Sequence, residues 1–541
     1  MSHRSLAALF AAIGMLAVLP AVASAKGFGL GVTAADVDST SALLWTRSDK
    51  QGSGIVQVAA NRRFGGTVLS EKVKFAGATD LTATLKLIGL KPGKTYYYRF
   101  TMGKDRSEVG RFETAPAPRT DATVRFAYSG DADPVKVPGM GKLFFAPSAV
   151  YARMASEGND FNVNMGDTMY SDTDSQYERQ DPIALTLAAK RGKYRDVLTD
   201  PGLRRVRAQS GIYNHWDDHE FLNDFAKDQT DYPTLQGVPE PSQERRIQKV
   251  DGRKLYADGA RAFLEYMPAT YTQRDGIYRT FRWGRNVELF FLDERSFRSA
   301  GADEGPECRN PQGATTRDFA PTAPQERRNV FASLIPSLAT PVPQACLDKI
   351  NDPKRTFLGS RQYAAFTKAV KASTARWKIV MNEMPVQQLY LDPYDRWEGY
   401  AAERTRLIEY LRKSVRNVVF LTTDVHANLV GDVRLKTLEP GGPTDSGIME
   451  YTTGPVATDT FADDVNGEVG RPDVATLARD FFLTQPPPQG TGTQCASLDV
   501  FSYGQVTVTA KAFTVALKDG AGKPVRDKAG KACGPYRLRI K

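Results

Sequence analysis

The sequence predicts an α/β (α+β) layered domain preceded by a small all-β module. Three observations carry this reading. Short alternating strands separated by turn residues fill the chain up to Pro116. Beyond Pro118, apolar runs of strand length alternate with helical stretches. Polar and mostly acidic residues follow those apolar runs repeatedly.

The all-β module spans residues 29–116, with strands expected over 41–45, 55–59, 67–75, 81–88 and 95–101. The run Leu90-Lys91-Pro92-Gly93-Lys94-Thr95-Tyr96 is a turn leading into a strand that sets Tyr96, Tyr98 and Phe100 on one face. Tyr96 is placed to act as a tyrosine corner, and Trp45 as a core residue. The pattern resembles a fibronectin type III-like β-sandwich, a scaffold with no chemistry of its own. Ala115-Pro116-Ala117-Pro118 reads as a short stiff linker. Buried strands are then expected over 124–128, 161–165, 287–292, 377–381 and 418–421, and helices over 143–156, 254–266, 362–371 and 401–412. The Gly- and Pro-rich region 438–493 reads as a long loop or lid, and 500–517 as a terminal strand pair. The boundaries are thus 1–25 for a leader, 27–118 for the sandwich and 122–541 for the larger domain, with a C-terminal lid and strand segment over 438–541.

Composition excludes several classes. With 41% hydrophobic and 25% charged residues, the chain is neither disordered nor fibrous. Residues 1–25 read as a Sec-type secretory signal: Arg4, an apolar run, and an Ala23-Ser24-Ala25 cleavage site. This implies a secreted or periplasmic protein cut after Ala25, with no membrane span thereafter. The net charge of +10 is dispersed and reads first as a solvated basic surface; a positive field would also draw anionic substrates, and there is no specific nucleic-acid-binding module. Cys308, Cys346, Cys495 and Cys533 form an even set suited to two disulfides. Nearest-neighbour pairing is expected, although sequence alone permits three arrangements. Oligomeric state is left open.

The chemistry sits after the strands. The chain has four histidines, and three lie in two acidic motifs, Asn214–Glu220 (NHWDDHE) and Thr422–His426 (TTDVH). Further polar strand ends are Ser129-Gly130-Asp131-Ala132-Asp133, Gly166-Asp167-Thr168-Met169-Tyr170 and Asn382-Glu383. Ligands in layered α/β sheets collect at the carboxyl ends of strands, so these motifs point to one convergent site. Singly, Asp131, Asp133 and Gly166-Asp167 also read as turn residues, and His215 as structural. Asp, Asn, Tyr and one or two His form a hard, oxygen-rich donor set suited to Fe³⁺, Mn²⁺, Mg²⁺ or Ca²⁺. An aspartate bridging two metals is a standard device for phosphoryl hydrolysis.

GDxxY at Gly166–Tyr170, WDDHE at Trp216–Glu220 and DxH at Asp424–His426 resemble the alkaline phosphatase D (PhoD) family of metallophosphoesterases. LDERSFR at Leu292–Arg298 and the run from Leu358 to Pro385 match it as well, and the sandwich resembles that family's N-terminal domain. The resemblance implies a two-layer β-sheet metallophosphatase domain using Ca²⁺ and Fe³⁺, with Mn²⁺, Mg²⁺ and Zn²⁺ as alternatives. It implies phosphate-ester hydrolysis by a metal-activated hydroxide. Asp167 would bridge the metals and Tyr170 would hold iron. Asp218 would act at the catalytic metal, and His219 would contact the phosphate or protonate the leaving group. Asp424 and His426 would complete a metal shell, with Glu383 or Asn382 supplying one more ligand. The family's cysteine after the first strand is missing, so Asp131 or Asp133 would replace it. The twin-arginine signal common in the family is also absent. The same site would serve a phosphodiesterase or phospholipase D-type hydrolase, or one acting on phosphate triesters. A more distant reading is an exported binding protein without catalysis.

Overall fold

Most of the first strands alternate buried with more exposed residues, as a half-buried sheet requires, while β1 is buried throughout. They are β1 (Val32–Ala35), β2 (Ser41–Arg47), β3 (Gly52–Ala59), β4 (Thr67–Phe75), β5 (Thr82–Ile88), β6 (Thr95–Met102), β7 (Asp105–Arg106) and β8 (Gly110–Glu113). This is a computed structural model, and it describes residues 26–133, 147–172, 183–234, 246–309 and 317–540. The leader over 1–25 and the start of the helix expected over 143–156 lie outside those residues. In β6 the alternation buries Tyr96, Tyr98 and Phe100 against Val56, Val58, Phe75 and Leu44. The Tyr96 hydroxyl accepts from the Lys91 N–H at 3.0 Å, the tyrosine-corner bond. Trp45 is buried, but it faces away from that core. Its ring packs among the helices of the larger domain, and its Nε1 donates to the Glu265 carbonyl at 2.6 Å.

The sandwich is not a separate bead. Strand β1 pairs in parallel with a strand of the larger domain, Ala34 opposite Gly211 and Ala35 opposite Ile212. The β1-β2-β5 layer therefore continues the sheet of the larger domain. The 115–118 connection is fastened too: Gly284 N–H donates to the Pro116 carbonyl and Arg285 N–H to that of Thr120.

In the larger domain the chain runs β9 (Val124–Ser129), α1 (Ser148–Ser156), β10 (Phe161–Asn164), α2 (Leu187–Val197), α3 (Pro201–Gln209), β11 (Gly211–Asn214), the hairpin β12 (Asp231–Thr234) and β13 (Arg246–Lys249), and α4 (Gly252–Tyr266). A second sheet follows with β14 (Arg279–Trp283), β15 (Val287–Phe291), α5 (Gln325–Phe331), α6 (Gln344–Ile350), α7 (Gly359–Ala372), β16 (Trp377–Met381), α8 (Ala401–Ser414), β17 (Val418–Thr422), β18 (Asn428–Leu435), β19 (Thr444–Thr452), α9 (Phe461–Val469), α10 (Val474–Leu483) and β20 (Thr493–Ser497). The chain returns to the first sheet with β21 (Ser502–Val508), β22 (Ala512–Asp519) and β23 (Tyr536–Arg539). The strand orders are β23-β22-β21-β9-β10-β11-β1-β2-β5 and β14-β15-β16-β17-β19-β18-β20.

The two sheets face each other across Phe126, Phe161, Tyr213, Val506, Leu289, Ile379 and Leu421. Helices α1 to α4 cover the outer face of the first sheet, and α7 and α8 that of the second. Burial on both faces explains why β17 reads as an apolar run up to Thr422 and β16 as one interrupted only by Lys378, rather than as alternating strands. Strands β9, β10 and β11 are mutually parallel, as are β15, β16 and β17, so six carboxyl ends meet along one rim.

One expectation is corrected. The region 438–493 is not a loop: it holds β19, which lies between β17 and β18, followed by α9 and α10. Most of its Gly and Pro residues fall at the joints, Gly447 in β19 and Gly467 in α9 excepted, whereas α10 buries Val474, Ala475, Ala478, Phe481 and Phe482 at helical spacing. The 500–517 strand pair forms as β21 and β22. Disulfides join Cys308 to Cys346 and Cys495 to Cys533. No helix among the described residues is long and apolar enough to cross a membrane.

Candidate metal centre

The loop after β10 turns sharply at Gly166, with φ of 108°. A Cβ there would sit 2.6 Å from the Asp217 Cβ, so the glycine lets this loop pass close to the WDDHE loop. Glu220 then fastens the two loops. Its carboxylate accepts from the N–H groups of Asp167 (3.0 Å), Thr168 (2.9 Å) and Asp217 (2.7 Å). From below, the buried Lys190 donates to the Glu220 and Phe221 carbonyls at 3.0 and 2.9 Å. Asp131, Asp167, Asp424 and His426 all adopt left-handed backbone, with φ between 49° and 68°. Each such non-glycine residue costs about 1–3 kcal/mol, an expense concentrated at functional sites.

Four donor groups result, each with atoms within 4.8 Å of one another: Asp131–Asp167–His426, Asp167–Asp218–His219, Asp217–Asp218–Asp424 and Asp218–Asp224–Asp395. The first two share Asp167. Tyr170 joins them, its hydroxyl 3.1 Å from His426 Nε2 and its ring stacked on His219 at 3.9 Å. Asp131 accepts the Asp424 N–H at 3.3 Å through Oδ1, while its buried Oδ2 has no hydrogen-bond partner. The Oδ2 of Asp217 is likewise buried and orphaned. Burial, reinforced by neighbouring carboxylates, pushes Asp131 up to about 6 and Asp167 well above the ordinary range. Crowded oxygen donors with orphaned atoms fit one or more hard cations.

Both histidines are held by a carboxylate. His219 Nδ1 lies 2.8 Å from Asp172, and His426 Nδ1 lies 3.0 Å from Asp464 on α9. Burial opposes the charged imidazole of His219, but Asp218, Asp167 and Asp172 override it and raise its pKa well above the ordinary value. The same competition, with Asp464 on the raising side, brings His426 to about 9.

The structure therefore gathers Asp131, Asp167, Tyr170, Asp218, His219 and His426. It sets Asp424 somewhat apart, in the group with Asp217 and Asp218. Asp133 is buried beside them, its N–H bonded to the Ala457 carbonyl at 2.7 Å, but its carboxylate joins none of the four groups. Glu383 also joins none: it lies a layer deeper, paired with His215, while its N–H donates to Glu294 at 2.8 Å. Burial and Arg279 lower His215 to about 3, so it is a neutral structural imidazole. Asn382 is also taken up structurally, accepting from Trp397 Nε1 at 3.1 Å. Sequence reasoning missed Asp172, although it stands two residues after Tyr170. It also missed Asp464, Asp395 and Arg295, whose neighbours come from distant segments.

Comparison with known proteins agrees with this picture. The model of the PhoD-like phosphatase family matches residues 144–517, and that of the PhoD-like phosphatase N-terminal domain matches 15–116. Alkaline phosphatase D of Bacillus subtilis (strain 168) is 24% identical over 450 residues, covering 76% of this chain and 66% of that protein, just under two thirds of its length. A solved structure of PhoD superposes with a TM-score of 0.69 at 21% identity, covering 96% of this chain and 90% of that one. The purple acid phosphatase PPD1 of yellow lupin (Lupinus luteus) seeds superposes with a TM-score of 0.52 at 11% identity, covering 92% and 74%.

Proposed function

The chain belongs to the PhoD-like phosphatase family, and on that premise we propose that it is a metal-dependent phosphoric ester hydrolase. The observation that carries the reading is the pair of donor groups sharing Asp167. Asp131, Asp167, His426 and Tyr170 would hold one ion, and Asp167 and Asp218 a second, with Asp167 as the bridge. Such ions polarise a phosphoryl oxygen and activate a water for in-line attack. A phenol and an imidazole suit Fe³⁺ at the first position, and the all-carboxylate pair suits Ca²⁺ at the second. Asp131, rather than Asp133, stands in for the family's cysteine on this reading.

The chain's own residues do the rest. Asp172 fixes the His219 ring and favours its protonated form, so that His219 donates a proton to the departing oxygen. Tyr170, stacked on that ring, keeps it facing the donors. Glu220 and Lys190 keep the two loops in register. The two disulfides support an exported, oxidising setting for the enzyme. Release of p-nitrophenol from p-nitrophenyl phosphate and from its bis-ester, with and without Ca²⁺ and Fe³⁺, tests the reading and separates monoesterase from diesterase. Metal-dependent turnover is expected. Absence of turnover with every metal tried would overturn it in favour of a binding protein.

A further inference from the structure

His426 lies in the turn between β17 and β18, and helix α9 grips it at two points. The Phe461 N–H donates to the His426 carbonyl at 3.0 Å, and Asp464 Oδ2 lies 3.0 Å from Nδ1 of the ring. The opposite ring nitrogen, Nε2, lies 3.1 Å from the Tyr170 hydroxyl. Two ligands bound at about 2 Å to one ion, at right angles, stand about 3 Å apart. Nε2 and the phenol therefore have the spacing of partners on a common ion, and Nδ1 is left for the helix.

The turn does not hold this ring by itself. His426 has left-handed backbone, with φ of 49°, a conformation that persists only where its surroundings enforce it. Helix α9 is well anchored for that task. Thr460 and Asp463 form a capping box at its start, and Asn466 accepts the Ala475 N–H of α10 at 3.0 Å. Val465 is buried in one cluster with Phe482 and with Val425, the residue before His426. The Asp464 side chain is 48% exposed, so removing it opens no cavity.

We propose that Asp464 is a positioning residue for His426, and that the docking of α9 thereby sets how firmly the ion beside Asp131, Tyr170 and His426 is retained. A carboxylate on the far nitrogen of a ligating imidazole fixes its tautomer and its orientation. The inference rests on the metal reading above and deepens it by naming what holds the imidazole of that donor group.

The test is the rate at which iron leaves the full chain, loaded with Fe³⁺ and Ca²⁺, into excess deferoxamine. Release is followed at the tyrosinate-to-iron absorption band and by elemental analysis. Asp464→Ala is expected to release iron about 10- to 100-fold faster than wild type, with calcium retained. Its metal-free melting temperature should stay within about 2 °C of wild type, the size of one lost helix-end charge. Asp464→Asn, which keeps an oxygen for the Nδ1 proton, should fall between the two. Thr460→Ala, which removes the capping box without touching the ring, should speed release about 5-fold. Release from Asp464→Ala at the wild-type rate, or a larger fall in its melting temperature, overturns the positioning role. Release from Thr460→Ala at the wild-type rate overturns the coupling to α9. A wild-type chain that retains no metal overturns the metal reading, and this inference with it.

Discussion

Two sides of one acidic array meet in this site, and they are neutralised differently. Around Asp131 and Asp167 the carboxylates have histidine and phenol neighbours, and Asp131 Oδ2 has no hydrogen-bond partner. Around Asp217, Asp395 and Asp424 the same residue type is met by Arg295 and Arg298. Burial alone would raise Asp395, yet the two guanidinium groups hold it well below the ordinary carboxylate range. Asp167 is equally buried and goes the other way, as do Asp217 and Asp424 despite Arg295, because burial and neighbouring carboxylates outweigh the single guanidinium there. Carboxylates without an internal cation are those that call for an external one.

Removing the bridge should break the comparison most severely. Asp167→Asn is expected to lose both ions and roughly 10⁴-fold in kcat/KM, about 5 kcal/mol of barrier. A variant that keeps its metal and full turnover would sink the bridging role. His219→Ala should come next, lowering kcat by about 10²- to 10³-fold while leaving metal content largely intact. Loss of an ion instead would make His219 a ligand rather than a proton donor. Asp172→Asn should cost about 10- to 100-fold and narrow the alkaline limb of the pH–rate profile, since it releases the His219 ring. An unaltered profile would assign Asp172 to structure alone.

The smallest effect concerns stability. Asp131 and Glu220 have folded-state pKa values raised to about 6 and about 7, in each case chiefly by burial. A raised carboxyl favours the fold below its unfolded pKa near 4, and this contribution is lost as pH rises through the folded value. Metal-free protein should therefore become less stable between about pH 4 and pH 7, and the stabilisation on adding Ca²⁺ should grow over the same interval. Thermal melts across that range check this, and a flat metal increment would contradict it.

Much of the fold was legible because its strands announce themselves. Apolar runs such as Val418–Leu421 mark strands buried on both faces, and each is followed by polar punctuation. GDxxY, WDDHE and DxH were legible for the same reason, since their residues lie directly after strands β10, β11 and β17. The division of labour within the site was not. Arg295 meets Asp217 across 78 residues and Asp424 across 129, and no local pattern records such a pairing. Glu383 looked like its neighbours at other strand ends, but β16 sets it a layer deeper against His215 and Glu294. The stretch 438–493 was obscured by Gly and Pro that punctuate β19, α9 and α10 rather than replace them. The fusion of sandwich and main sheet depends on the β1–β11 pairing, which joins residues with no mark of contact in the sequence.

The central claim is that external cations share the Asp167 carboxylate. Anomalous difference maps from crystals loaded with a heavy divalent ion and Fe³⁺ test it most directly. Peaks flanking Asp167 are expected, one beside Asp131 and His426 and one beside Asp218. Maps with no peak beside Asp167 would contradict the account.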